Sequence, residues 1–166
     1  MLVLGIDPGI ATTGYGLVKV NNTGDPELVA YGVISTSATS STSKRLLKLF
    51  EDLNQLIQRY EPTECAMEKL FFQKNIKTAM TVSEARGVIG LCVSLAGYEP
   101  AEYTPNEIKQ AVTSNGNASK TQVQEMVKFI FNMDETPKPD DAADALAIAI
   151  CHLSHAQYHR LINQTD

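Results

Sequence analysis

Cysteine is scarce in this chain of 166 residues, and its three cysteines are not placed to pair. Cys65, Cys92 and Cys151 lie far apart, odd in number and among apolar neighbours. That excludes a disulfide framework and a cysteine-based zinc site, and points to buried thiols in a reducing compartment. No apolar run is long enough to span a bilayer and no cleavable signal pattern opens the sequence, so the expectation is a soluble, cytoplasmic protein with no membrane partner. Basic charge is also short: 14 Lys and Arg stand against 19 Asp and Glu, for a net charge of −5. As a sum, this argues against a nucleic-acid partner. The distribution argues the other way. Residues 69–83 hold three lysines, Lys74 among them, and no acid; Arg86 follows, and Lys109 and Lys120 flank a second acid-poor stretch. A protein that gathers several carboxylates around metal ions is acidic in a count and neutralised once the ions bind.

What is present is enough for one domain with a real core, 43% of it hydrophobic. The stretch that organises it is LVLGIDPG at residues 2–9. An apolar, β-branched run reads as a strand buried on both faces. Pro8 cannot donate to a ladder and keeps Asp7 extended, so the strand stops there and Gly9 lets the chain turn. Asp7 is thereby presented at the carboxyl end of a central strand, where open α/β sheets bind ligands. Residues 13–20 and 27–35 read as two more strands, joined by short turns into an antiparallel meander. The polar loop 36–43 ends in a candidate cap, Ser43, and residues 44–60 carry apolar side chains at helical spacing. Pro62 ends that helix, and residues 63–67 form a short strand leading to Glu68. Strand, crossover helix and strand imply a parallel pairing, which sets Glu68 near Asp7.

A helix over 76–96 follows, with Gly87, Gly90, Ser94 and Ala96 allowing close approach of either the sheet or a second subunit. Residues 99–103 read as a weak fifth strand. Thr104-Pro-Asn-Glu107 and Ser119-Lys-Thr-Gln122 are capping boxes that open two more helices. Pro137 and Pro139 break the chain, and an alanine-rich helix starts at Asp140, with Asp141 and Asp144 spaced to leave one face of its first turn. The expected architecture is α/β, a five-stranded mixed sheet of three antiparallel strands followed by parallel ones, flanked by helices, over residues 1–157, with 158–166 as a short tail.

If the last helix crosses the sheet beside the first strand, Asp7, Glu68, Asp141 and Asp144 converge. Hard divalent cations need such an all-oxygen set, and two of them about 3.5–4 Å apart can activate a water and stabilise a leaving phosphodiester oxygen. Each acid also has a plainer role open to it: Asp140 and Asp141 sit where acids cap helices, and Glu68 can pair with Lys69 or Lys74 at a rim. Asp144, inside a helix among alanines, is harder to account for structurally. Lys120, at a helix start, can meet a phosphate together with free backbone N–H groups, and Phe71 on a polar loop can stack on a splayed base, while Phe72 is expected in the core. His152, His155 and His159 read as a solvated face.

Taken together, LGIDPG with Gly14-Tyr-Gly16, Ala66-Met-Glu68, Phe71-Phe-Gln-Lys-Asn75, Glu84-Ala-Arg-Gly87, Tyr103-Thr-Pro-Asn-Glu-Ile-Lys109 and Asp141-Ala-Ala-Asp-Ala-Leu-Ala147 resemble the RuvC family of Holliday-junction resolvases, which have a ribonuclease H-like fold. The resemblance spans roughly residues 1–155, and six motifs in the right order are far more specific than any one. It implies a homodimeric endonuclease of recombination and repair that cuts two strands of a four-way DNA junction symmetrically and leaves ligatable ends. It further implies Asp7, Glu68, Asp141 and Asp144 as metal-binding catalytic acids for two Mg2+, with Mn2+ able to substitute. Lys120 would be a catalytic and DNA-binding lysine, Lys109 a DNA-binding lysine, and Phe71 the junction-facing aromatic; Lys74, in the basic stretch 69–83, is a further candidate DNA contact. A branch-migration helicase complex would be the partner. Asp140 is an extra acid ahead of the usual pair. Three other readings compete: a sugar-kinase or actin-like ATPase fragment, which needs a second phosphate loop and a second domain; a nuclease of the same fold that matures ribosomal RNA precursors; and a junction binder without catalysis, against which the four acids argue.

Overall fold

Alternation along three strands decides the architecture. The fold is described from a computed structural model over residues 1–21, 23–69 and 76–163. Strand β1 (Leu2–Asp7) is central, with β2 (Thr12–Val20) antiparallel on one side and β4 (Glu64–Glu68) parallel on the other. β3 (Pro26–Ser35) pairs antiparallel with β2, and β5 (Ala101–Tyr103) parallel with β4, for a sheet order β3-β2-β1-β4-β5. The antiparallel meander and the parallel crossover expected from the loop lengths are both present. The crossover is α1 (Thr42–Tyr60); α2 (Ile76–Leu95) links β4 to β5, and α3 (Pro105–Thr113), α4 (Lys120–Ile130) and α5 (Asp140–Asn163) complete the chain.

Successive strand residues face opposite sides of a sheet. Leu4, Ile6, Leu17, Cys65 and Met67 therefore face α1 and α2, in a core with Leu49, Leu53, Ile57, Ile89 and Val93. Val3, Val18 and Ala66 face α3, α4 and α5, in a core with Ile108, Val112, Val123, Val127 and Leu146. The burial of Leu49, Leu53 and Ile57 on α1 contributes about 1.5–3 kcal/mol each. By the same parity Asp7 follows Val3 and Gly5, and Glu68 follows Ala66, so both acids leave the sheet on the α5 side.

That side carries a bare strip. Gly5 is paired with Gly16, and Asp7 with Gly14. A Cβ on Gly5 would lie 2.2 Å from the Ala145 carbonyl oxygen, and one on Gly14 would lie 1.9 Å from that of Asp141. A Cβ on Gly16 would lie 2.8 Å from the Leu146 nitrogen. Helix α5, with Ala142, Ala145 and Ala149 fully buried, thus lies directly on the backbone of β1 and β2. This contact, rather than any made by the glycines of α2, is the close approach in the fold. Gly87 and Gly90 have open space where their Cβ atoms would be.

Several boundaries differ from the sequence reading. α1 starts at Thr42 with Ser41, not Ser43, at the cap, and Ser41 makes no side-chain capping bond. α5 continues to Asn163, through much of the stretch set apart as a tail. Both capping boxes form: Thr104 Oγ1 accepts from the Glu107 N–H at 3.2 Å, and Ser119 Oγ accepts from the Gln122 N–H at 3.2 Å. The three cysteines are free and buried, as expected. His152 is not on a solvated face. It is buried, with Nδ1 2.9 Å from the Tyr103 hydroxyl and Nε2 2.5 Å from Glu64 Oε2. The ring of His155 lies 4.9 Å from that of Tyr103, and the side chain of His159 is outside the described residues.

Candidate metal centre at the end of the first strand

The turn after β1 is pinned from within. Thr13 is buried, and its hydroxyl donates to the Gly9 carbonyl oxygen at 2.5 Å, closing the Pro8-Gly9 turn onto β2. Asp7 is left at the mouth of that turn. Glu68 ends β4 opposite Tyr103, and its own carbonyl oxygen accepts a hydrogen bond from Arg86 on α2, whose guanidinium also pairs with Glu102 on β5. The seating of α5 on the glycine strip then brings in Asp144 from above. Asp7, Glu68, Asp144, Lys109 and Lys120 line one cavity of about 160 Å3, floored by Ile108, Val123, Ala147 and Ile148.

Its electrostatics are those of crowded carboxylates short of positive charge. Burial pushes Asp7 up to about 8, with the charges of Asp144, Glu68 and Asp141 adding to the rise and Lys120 opposing it. Glu68 is raised by burial and by Asp144, against Arg86, Lys109 and Lys120. Asp144 is raised by burial too, although Lys120 pulls it down. Burial lowers the Lys120 ammonium, but its hydrogen bonds and proximity to Asp144 and Asp140 more than offset this and leave it above its ordinary value. Its Nζ lies 2.9 Å from Asp144 Oδ2 and 3.3 Å from Asp140 Oδ2. Among the described residues no three His, Cys, Asp or Glu side chains stand together as a group that could hold a metal ion. Lys120 is the cation that lies against Asp144. The donor set, all carboxylate oxygen with no softer ligand, fits a hard divalent cation.

A family model described as crossover junction endodeoxyribonuclease RuvC matches residues 3–152. The chain belongs to the RuvC family. The RuvC protein of Caldicellulosiruptor saccharolyticus is 50% identical over 153 residues, 92% of each chain. That of Brevibacillus brevis is 49% identical over 166 residues, all of this chain and 98% of the other. Among solved structures, T. thermophilus RuvC in complex with a Holliday junction substrate superposes with a TM-score of 0.86 at 32% identity, covering 95% of this chain and 96% of the other. The five-stranded mixed sheet read from the sequence is therefore the RuvC fold.

Within this chain the residues singled out by sequence fall into three groups. Asp7, Glu68, Asp144, Lys109 and Lys120 share the cavity. Asp141 does not line it, but lies near enough for its charge to raise Asp7, with its backbone fixed against Gly14. Phe71, Phe72 and Lys74 lie outside the described residues. Sequence reasoning missed two supports. One is Arg86, which ties the ends of β4 and β5 to α2; its motif was visible but not its partners. The other is the glycine strip, whose signal was the Gly14-Tyr-Gly16 alternation within a strand.

Proposed function

We propose that this chain is an endonuclease that resolves four-way DNA junctions, using divalent cations held by Asp7, Glu68, Asp141 and Asp144 to hydrolyse one phosphodiester in each of two opposed strands. The observation that carries this is the cavity in which three carboxylates from separate elements meet beside two lysines. Two Mg2+ ions, replaceable by Mn2+, would supply there the charge that activates water and stabilises the leaving oxygen. Lys120 and Lys109 orient the scissile phosphate at the edge of the cavity. Arg86 fixes the main chain behind Glu68, so that carboxylate keeps its place as the charge around it changes. The apolar floor of Ile108, Val123 and Ile148 limits water to the side from which substrate enters.

Paired cuts need two such cavities, and the outer face of α2 supports a homodimer. Met80 (62%), Leu91 (56%) and Leu95 (68%) are exposed there, beside the open Gly87 and Gly90. An apolar patch with room for a second backbone is characteristic of an interface. The resemblance adds Phe71 as the junction-facing aromatic; Lys74 as a phosphate contact, a branch-migration helicase as partner and a cytoplasmic setting stand beside it as further parts of the proposal. Among the described residues no helix is long and apolar enough to cross a membrane.

A strand-resolved nuclease assay tests the reading, with a mobile four-way junction, a linear duplex and a structured RNA precursor offered side by side, in Mg2+ and in EDTA. Symmetric paired nicks confined to the junction and to Mg2+ are expected. Equal nicking in EDTA removes the metal mechanism, and preferred cutting of RNA selects the ribosomal-RNA alternative. Lys120→Ala is expected to weaken junction binding and to lower the salt slope of log affinity by about 0.9, the value for one lost phosphate contact. A slope equal to that of the wild type excludes the contact.

A further inference from the structure

Lys120 has two partners, and only one of them belongs to the cavity. The reciprocal Ser119–Gln122 cap fixes the first turn of α4, so the lysine leaves from a defined point. Its ammonium bridges Asp144 at 2.9 Å and Asp140 at 3.3 Å, two carboxylates one turn apart on α5. Asp144 is half-buried and lines the cavity; Asp140 is exposed, at the first position of α5, and stands on the rim.

Resting on the metal-centre reading above, we propose that Asp140 is a positioning residue that retains Lys120 at the rim when Asp144 is taken up by a divalent cation. A cation on Asp144 shares the carboxylate whose Oδ2 the ammonium holds, and two positive charges on one carboxylate repel at that range. A lysine with Asp144 as its sole partner has two courses. It stays and competes with the cation, or it swings into solvent on its flexible stem and loses its place beside the phosphate. Asp140 supplies a third course. Lys120 keeps one of its two ion pairs, shifts toward the rim by a side-chain rotation, and remains next to the cavity. Asp140 itself holds no cation in this scheme; it acts through the lysine.

The test is a double-mutant cycle read by metal binding rather than by cleavage. Mn2+ is titrated calorimetrically, without DNA, into the wild type, Asp140→Asn, Lys120→Met and the combined variant, with Asp140→Glu as the conservative replacement. Asp140→Asn is expected to weaken Mn2+ binding about two- to fivefold, the range of a partly exposed ion pair. The loss should vanish when Lys120→Met is already present, and Asp140→Glu should restore most of the affinity. An equal loss in both lysine backgrounds shows that Asp140 acts on the cation directly, by its charge or as a ligand, and overturns the proposal. So does Mn2+ affinity unchanged by Asp140→Asn. A wild type that binds no Mn2+ at millimolar concentration removes the metal-centre reading itself, which is a separate and recognisable failure.

Discussion

Asp7→Asn should abolish cleavage of a four-way junction while leaving junction binding nearly intact. The carboxylate is one of the proposed cation ligands, whereas the phosphate contacts are proposed for Lys109 and Lys120, which line the same cavity from other elements. Loss of a cation's charge stabilisation, worth several kcal/mol, corresponds to a rate lowered about a thousandfold or more. Binding and cleavage assays on the same junction check this, and a parallel loss of both would show that Asp7 organises the DNA surface instead. The same variant separates function from stability. Folded Asp7 keeps its proton to about pH 8, while an ordinary aspartate releases it near 3.8. Between those values the folded metal-free protein binds more protons than the unfolded chain, so its stability falls as pH rises, by up to about 1.4 kcal/mol per pH unit for one proton. Asparagine mimics the protonated carboxyl at every pH. The variant should lose most of that slope, and at pH 8 without metal should melt no lower than the wild type. Denaturant titrations at pH 5, 6.5 and 8 measure this directly, and a variant that melts far below wild type would mark Asp7 as a structural residue.

Gly14→Ala is expected to damage the site without touching any acid. The new methyl carbon would sit 1.9 Å from the Asp141 carbonyl oxygen and 2.4 Å from its carbonyl carbon. Both are main-chain atoms, so no rotamer change relieves the clash, and α5 must retreat from β2 by roughly 1 Å or more to restore van der Waals distance. The cost should be at the upper end of overpacking, about 3 kcal/mol, or a melting temperature lowered by about 6–12 °C in a chain of this size. The retreat also carries Asp141 and Asp144 away from Asp7, so metal affinity and cleavage fall together. Gly87→Ala is the control within a single chain, because its Cβ meets no other atom of that chain; at a concentration low enough to keep the chain monomeric it should raise the melting temperature slightly through better helix propensity. Equal melting of Gly14→Ala and the wild type would show that α5 does not depend on the strip.

Much of this was readable beforehand because it depends on local chemistry. Pro8 and Gly9 end β1 wherever it lies, the Thr104 and Ser119 boxes nucleate their helices from residues three apart, and a helix between two strands forces the parallel pairing that brings Glu68 to Asp7. What was misread depends on partners distant in sequence. His152 looked like one of a row of surface histidines because its helical spacing is local, whereas Glu64, which holds it, is 88 residues away. The start of α1 slipped because Ser41, Thr42 and Ser43 are all capable caps, and the chain adopts one in which the side chain does not participate. The glycines of α2 were ambiguous between sheet and subunit because a bare position signals proximity without saying to what. The pairing of Lys120 with Asp140 was invisible because it depends on how α4 and α5 meet.

One tether joins matters that look separate. Arg86 leaves α2 one residue before Gly87, on the helix whose far side is open, and its guanidinium grips the main chain at Glu68 and the side chain of Glu102. One side chain thus links a helix with an exposed apolar face to the ends of two strands. Any shift of that helix pulls first on the main chain that carries Glu68, and Arg86→Ala would cut the link.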